Sequence, residues 1–247
     1  MDNELFELAV AASLQIPPKN VIGTKTEYRV HGALKYLFQP DDEFHEIRVD
    51  GFICDAVKEN EIIEIQTRAF ERLKKKLEAL TKAHTVTVVY PVITEKRVTV
   101  TYAESGECSV RKSPKKGKAC DFFTEAYKIR EHLKNSNLRF RLVLLTVDES
   151  RLYKGTKADR KPFQKPISTE RVPTALHSVI ALDTPYDYLQ LLPDKLPECF
   201  NSEIFAKLLG IPRSEAGYAL NVLTELGVLS RIGKLGRAYV YEKRLSN

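Results

Sequence analysis

Two carboxylates in the stretch GFICDAVKENEIIEIQTR, residues 51–68, have the types and spacing to do chemistry. The run reads as two short strands around the turn KENE, with Asp55 in the first strand and Glu64 in the second. A turn that sets Lys58 opposite Glu61 also sets Asp55 opposite Glu64 and Ile53 opposite Gln66, whether the loop is counted as two residues or four. Like charges facing each other across a strand pair cost about 0.2–1 kcal/mol even at a solvated face, and burying them uncompensated costs far more. Ile53, Asp55 and Val57 share one predicted face and Ile62, Glu64 and Gln66 the matching one, so the acids sit among apolar neighbours. Such a pair invites a shared proton or a cation. A hard divalent ion, Mg²⁺ or Mn²⁺, held by both carboxylates and by water, satisfies the two groups together. The plainer alternative puts the acids on the solvent face, each beside a Lys or Arg.

The elements that must position this pair follow from periodicity. Leu5, Leu8, Ala9 and Ala12 predict a helix over 3–15, stopped by IPP, and Val30, Ala33, Leu34, Leu37 and Phe38 predict another over 26–38. Residues 44–66 read as three strands in a meander. Next, RAFERLKKKLEALTKA sets Phe70, Leu73, Leu77 and Leu80 on one side and Arg72, Lys74, Lys75 and Lys76 on the other. Strands resume at HTVTVVYPV and RVTVTY. Residues 103–120 lose all period and read as a loop, with five basic residues among the eight of RKSPKKGK. A helix at 121–135 and the strand RFRLVLLTV complete one α/β domain spanning 1–150. Residues 151–195 read as a connector, basic and Pro-containing at its start. Residues 196–247 then read as helix 202–209, a turn at Gly210-Ile211-Pro212, helix 213–226 and a hairpin, the order of a winged helix.

Composition sets broad limits. With 247 residues, 43% hydrophobic and 29% charged, the chain can bury a core. A net charge of +6 fits a polyanionic partner or simple solubility. Four cysteines without a CxxC pair argue against a zinc site or a disulfide framework. The N-terminus is acidic where a signal peptide is basic, and no apolar run reaches membrane-spanning length, so the expectation is a cytoplasmic protein without membrane contact.

A helix bearing an acid, an aspartate on a short hairpin, a Glu-x-Gln on the returning strand and an amphipathic helix together resemble the PD-(D/E)XK nuclease superfamily, over residues 24–102 and as far as 150. The matching residues are Glu27, Asp55 and Glu64-Ile65-Gln66. The resemblance implies a restriction endonuclease-like mixed central sheet flanked by helices, with the small C-terminal winged-helix domain beside it. It implies metal-dependent hydrolysis of DNA phosphodiester bonds, with DNA as partner and a homodimer as one option. Asp55, Glu64 and Glu27 would be the metal ligands, with Gln66 completing the catalytic set. Cys54 stands at the usual proline position and Gln66 at the signature lysine, and Lys74 or Lys75 would supply the missing cation. Glu27 also has a structural reading, because TKTE from Thr24 to Glu27 is a capping box.

Residues expected to meet DNA are Arg68 after the hairpin, Lys74, the loop bases Arg111, Lys112, Lys115 and Lys116, Arg213 at the start of the second C-terminal helix, and Arg231, Lys234 and Arg237 on the wing. The helix SEAGYALNVLTEL offers few base-reading groups, so the wing carries the footprint. Two other classes stay open: a catalytically inactive nuclease-fold protein that binds or regulates DNA, and a module whose winged helix docks a protein.

Overall fold

Why the sheet forms where it does is clearest from β-branched density: the longest strand, Thr85–Tyr102, is the chain's richest stretch of Val and Thr. The computed structural model describes residues 3–15, 28–159 and 163–244. Its order is α1 (Asn3–Gln15), α2 (Tyr28–Phe38), β1 (His45–Val49), β2 (Phe52–Lys58), β3 (Glu61–Ile65), α3 (Lys74–Leu80), β4 (Thr85–Tyr102), β5 (Cys108–Lys112), α4 (Phe122–Ala126), β6 (Leu138–Tyr153) and β7 (Ile167–Leu182). Then come β8 (Cys199–Asn201), α5 (Ser202–Leu209), α6 (Arg213–Glu225), β9 (Leu229–Leu235) and β10 (Ala238–Lys243). The central sheet has seven strands in the order β1-β2-β3-β4-β6-β7, with β5 paired to β4. It is mixed: β3 with β4 and β4 with β6 run parallel, and the other pairs antiparallel.

Helices cover both faces. On one, Phe6 of α1 and Val30, Leu34 and Leu37 of α2 pack on Ala56, Ile63, Ile65 and Val89. On the other, Leu77 and Leu80 of α3 and Phe122 and Ala126 of α4 pack on Cys54, Ile62, Val88 and Leu142. Both parallel crossovers, through α3 and through α4, lie on that second face. The expected mixed sheet flanked by helices is therefore what the chain builds.

Several expectations are corrected. The predicted pair of strands at 85–102 is one unbroken strand, and the helix after β3 begins as a 3-10 turn at Phe70–Leu73. The helix read over 121–135 is α4 between two 3-10 segments, with non-helical backbone at Ile129. Within the expected loop 103–120, Cys108–Lys112 is β5. Within the expected connector 151–195, β7 runs for 16 residues along the sheet edge. Three register slips against β6, together with Pro173, blunt that edge against further pairing.

At the C-terminus β8, β9 and β10 form a three-stranded sheet around α5 and α6. Phe200, Phe205, Ala219, Leu220, Leu223 and Tyr241 belong to the same buried cluster as Val88 and Phe140 of the central sheet. One core thus crosses the boundary read near residue 195. Among the described residues no helix is long and apolar enough to cross a membrane.

Candidate functional site

The β2–β3 hairpin adopts the register read from its turn: Lys58 faces Glu61, Val57 faces Ile62 and Ala56 faces Ile63. The ladder ends there, one pair before the acids. On the other side of β2 the β1 ladder passes from His45–Ala56 to Ile47–Cys54, skipping Glu46 and Asp55, and Glu46 takes a left-handed φ of 54°. Alternation slips at this break, since Cys54 packs with the α3 face and Ala56 with the α2 face. The expected common face of Ile53, Asp55 and Val57 is accordingly not formed, and Ile53 is exposed.

Backbone groups freed by the break are taken by the two carboxylates. Ile65 N–H donates to Asp55 Oδ2 at 2.7 Å, and Asp55 N–H lies 3.4 Å from Glu64 Oε1. Each acid meets a base from a different layer. His31 Nε2 of α2 lies 3.3 Å from Asp55 Oδ2, and Lys76 Nζ of α3 lies 2.5 Å from Glu64 Oε1. Lys76 also donates to the Ile53 carbonyl at 2.6 Å. One helical turn after His31, Lys35 pairs with Glu46.

The two acids titrate apart. Burial works against the Asp55 carboxylate, but the hydrogen bond and charge of His31, the Ile65 N–H and Lys35 outweigh it and hold Asp55 below its ordinary range. Burial first, and the Asp55 charge second, push Glu64 up to about 7 despite Lys76. Glu64 is the more enclosed, 5% exposed. Cys54, fully buried beside Glu64, has its thiol pushed up to about 11, chiefly by burial.

The remaining expected residues are distributed more widely. Gln66 N–H continues the β3–β4 ladder to the Val89 carbonyl at 2.9 Å, but its side-chain amide turns back onto the Arg68 carbonyl. Arg68 is exposed just past the strand. Lys74 pairs with Glu131 on the surface, so neither it nor exposed Lys75 supplies the cation at the acids; Lys76 does. Sequence reading missed Lys76 because it was counted with the polar side of its helix. Its spacing, three residues after Leu73 and four before Leu80, places it within the apolar stripe, and that was the available signal. Glu27 lies outside the described residues.

Arg111 and Lys112 end β5, and Lys115 and Lys116 follow in the loop, all exposed. Arg213 is exposed at the start of α6. Much of that helix is occupied from within: Ala216, Ala219, Leu220, Val222 and Leu223 are buried, and Tyr218 packs its ring 4.8 Å from that of Tyr127. On the hairpin, Arg231 lies over Tyr239 at 4.9 Å and donates to Asn221 at 3.0 Å, while Lys234 lies over Tyr239 at 4.8 Å. Arg237 is exposed at its tip.

A family described as "Domain of unknown function (DUF8091)" matches residues 28–183, from the start of α2 to the end of β7. That span contains Asp55, Glu64, Lys76 and the basic loop after β5. An "Uncharacterized protein" of Treponema pallidum (strain Nichols) is 30% identical over 224 residues, covering 90% of this chain and 87% of that protein. No solved structure matches.

Proposed function

The chain belongs to the family described as Domain of unknown function (DUF8091), and from that premise we propose that it is a metal-dependent DNA endonuclease with a PD-(D/E)XK-like site. The observation that carries this reading is the meeting of Asp55, Glu64 and Lys76 at the break in the β2–β3 ladder. The order α2, β1–β2–β3 meander, α3, β4 supports the same superfamily, and the helix–turn–helix–hairpin order of residues 202–243 supports a winged helix.

The donor set fits Mg²⁺ or Mn²⁺. Asp55 and Glu64 provide hard carboxylate oxygens on neighbouring strands, and ions of this kind need one or two carboxylates, with water and phosphate oxygens completing the shell. Burial first, and the Asp55 charge second, disfavour the ionised Glu64 carboxyl, which a bound cation would favour. Asp55 and Glu64 would hold the ion; among the described residues no group of three or more His, Cys, Asp or Glu is placed to hold a metal. When bound, such an ion supplies Lewis acidity toward a phosphoryl oxygen and acidifies water.

The chain's own groups have distinct tasks. His31 and the Ile65 N–H hold Asp55 Oδ2. Lys76 carries the ammonium that the strand lacks at Gln66, placed to neutralise charge growing on a scissile phosphate. Gln66 cannot serve as a base, because an amide does not take up a proton near neutral pH. The wing bases Arg231, Lys234 and Arg237 hold the duplex through its phosphates.

A second reading, DNA binding without cleavage, has one observation in its favour: Lys76 Nζ already lies against Glu64 Oε1, at 2.5 Å. Incubation with supercoiled, linear and branched DNA, with Mg²⁺ or Mn²⁺ and with chelator, separates the two. Cleavage that requires the ion supports the nuclease; retained binding with no cleavage on any substrate supports the second reading.

A further inference from the structure

The basic loop after β5 is not a free surface loop. Along nearly its whole length one edge of β4 is taken by β6. The opposite edge is shared end to end by β3, which pairs with Thr85–Val89, and by β5, which pairs with Arg97–Thr101. Between them the loop is tied to the same edge. Ser113 N–H donates to the Lys96 carbonyl at 2.7 Å, and Gly117 N–H donates to the Ile93 carbonyl at 2.8 Å.

The approach at Gly117 is close enough to require glycine. A Cβ there would lie 2.7 Å from the Ile93 carbonyl oxygen and 3.2 Å from its carbon, both backbone atoms of a central strand that cannot retreat. The next residue fixes the other end: Lys118 Nζ donates to the carbonyls of Leu209 and Gly210 at 2.8 and 2.7 Å. Those carbonyls end α5, where Gly210 takes φ 60°.

On the same edge, Gln66 N–H, just past the end of β3 and two residues beyond Glu64, meets the Val89 carbonyl. Glu64 faces Val88; from there to Ile93, which holds Gly117, is five residues of strand, about 17 Å, and to Val98, which faces Arg111, ten residues, about 33 Å, at about 3.3 Å per residue. Arg111, Lys112, Lys115 and Lys116 are therefore held at a set distance from the acid pair, with their side chains exposed. We propose that residues 111–116 are a fixed phosphate-contacting arm that binds duplex DNA from about five base pairs beyond the Asp55–Glu64 pair, at the Gly117 end, to about ten, at Arg111, taking about 3.4 Å of axis per base pair. The proposal rests on the nucleic-acid reading above and deepens it. A duplex is the fitting partner, because only a stiff rod presents a second phosphate at a constant offset; a single strand would adapt to any spacing.

The test is anisotropy of a labelled short DNA duplex, and of its separate single strand, in chelator across a salt series. Wild type should bind the duplex more tightly. The combined variant Lys112→Ala, Lys115→Ala, Lys116→Ala should lower the log–log salt slope by about 2 to 3, roughly one for each lost phosphate contact. Gly117→Ala keeps every charge but displaces the arm, and should weaken duplex binding while single-strand binding holds. An unchanged slope in the triple variant, or equal binding of both DNA forms by wild type, overturns the proposal. Since no metal is present, these outcomes do not depend on whether the protein cuts DNA. A protein that cleaves normally but shows an unchanged slope would lose the arm and keep the nuclease.

Discussion

Lys76 Nζ lies 2.5 Å from Glu64 Oε1, so the helix after the hairpin delivers the cation that Gln66, just past β3, does not. If that ammonium neutralises developing phosphate charge, Lys76→Ala should lower cleavage by about 10²–10³-fold, the usual effect of losing one well-placed electrostatic group. DNA affinity in chelator should change much less. Lys74→Ala, which removes only a surface pair with Glu131, should leave cleavage near wild type, and the ratio of the two rates checks the assignment.

Glu64 gives the metal-free protein a characteristic pH response. Its folded-state carboxyl, raised by burial and then by Asp55, titrates at about 7, above the ordinary 4.5. Between these values the folded chain keeps a proton that the unfolded chain has released. The stability linked to Glu64 therefore falls as pH rises from about 4.5 to about 7. Thermal melts in chelator should show this decline in wild type and a shallower one in Glu64→Gln. Above pH 7, Mg²⁺ should raise the wild-type melting temperature and leave that of Glu64→Gln unchanged.

Glu149 on β6 is a structural counterpart with the opposite sign. Its wholly buried carboxylate accepts from Lys96 at 2.8 Å, Arg151 at 2.7 Å and Arg171 at 3.1 Å. Burial disfavours its charge, but hydrogen bonds from Arg151 and Lys96 and the charge of Arg171 prevail and hold it down at about 2. The stabilisation is complete above the ordinary 4.5 and is lost as pH falls through about 2. Glu149→Gln leaves three cations around a neutral amide and should cost about 3–5 kcal/mol in urea unfolding at neutral pH. That deficit should shrink as the medium is acidified.

How far these features were legible depends on local order. The Asp55–Glu64 register could be read because a short turn fixes pairing over the next few residues. The faces could not, because the ladder breaks at Asp55 and the two-residue period slips with it. β5 and β7 were hidden for a related reason. CSVRK lies on an exposed stretch with no apolar alternation, and β7 bulges three times along an edge where polar residues meet solvent. The C-terminal helices were legible from Gly210-Ile211-Pro212, whose left-handed glycine and proline end one helix and open the next. Their shared core with the sheet rests on contacts between elements far apart in sequence, such as α4 with α6, which no local pattern announces.

Lys118 offers a separate check on that joint. Removing its two hydrogen bonds to the end of α5 should cost about 1 kcal/mol. Lys118→Ala should speed amide exchange in α5 and the Gly210–Pro212 turn, with β3 and β4 protected as in wild type.

The most direct measurement is single-turnover cleavage of supercoiled DNA with Mg²⁺ or Mn²⁺ by wild type, Asp55→Ala and Glu64→Ala, each first shown to be folded. Ion-dependent nicking or linearisation by wild type, abolished in both variants while DNA binding persists, is the expected result. Cleavage that survives loss of either carboxylate, or no wild-type cleavage on supercoiled, linear or branched DNA with either ion, would contradict the assignment of Asp55 and Glu64 as the centre of a nuclease.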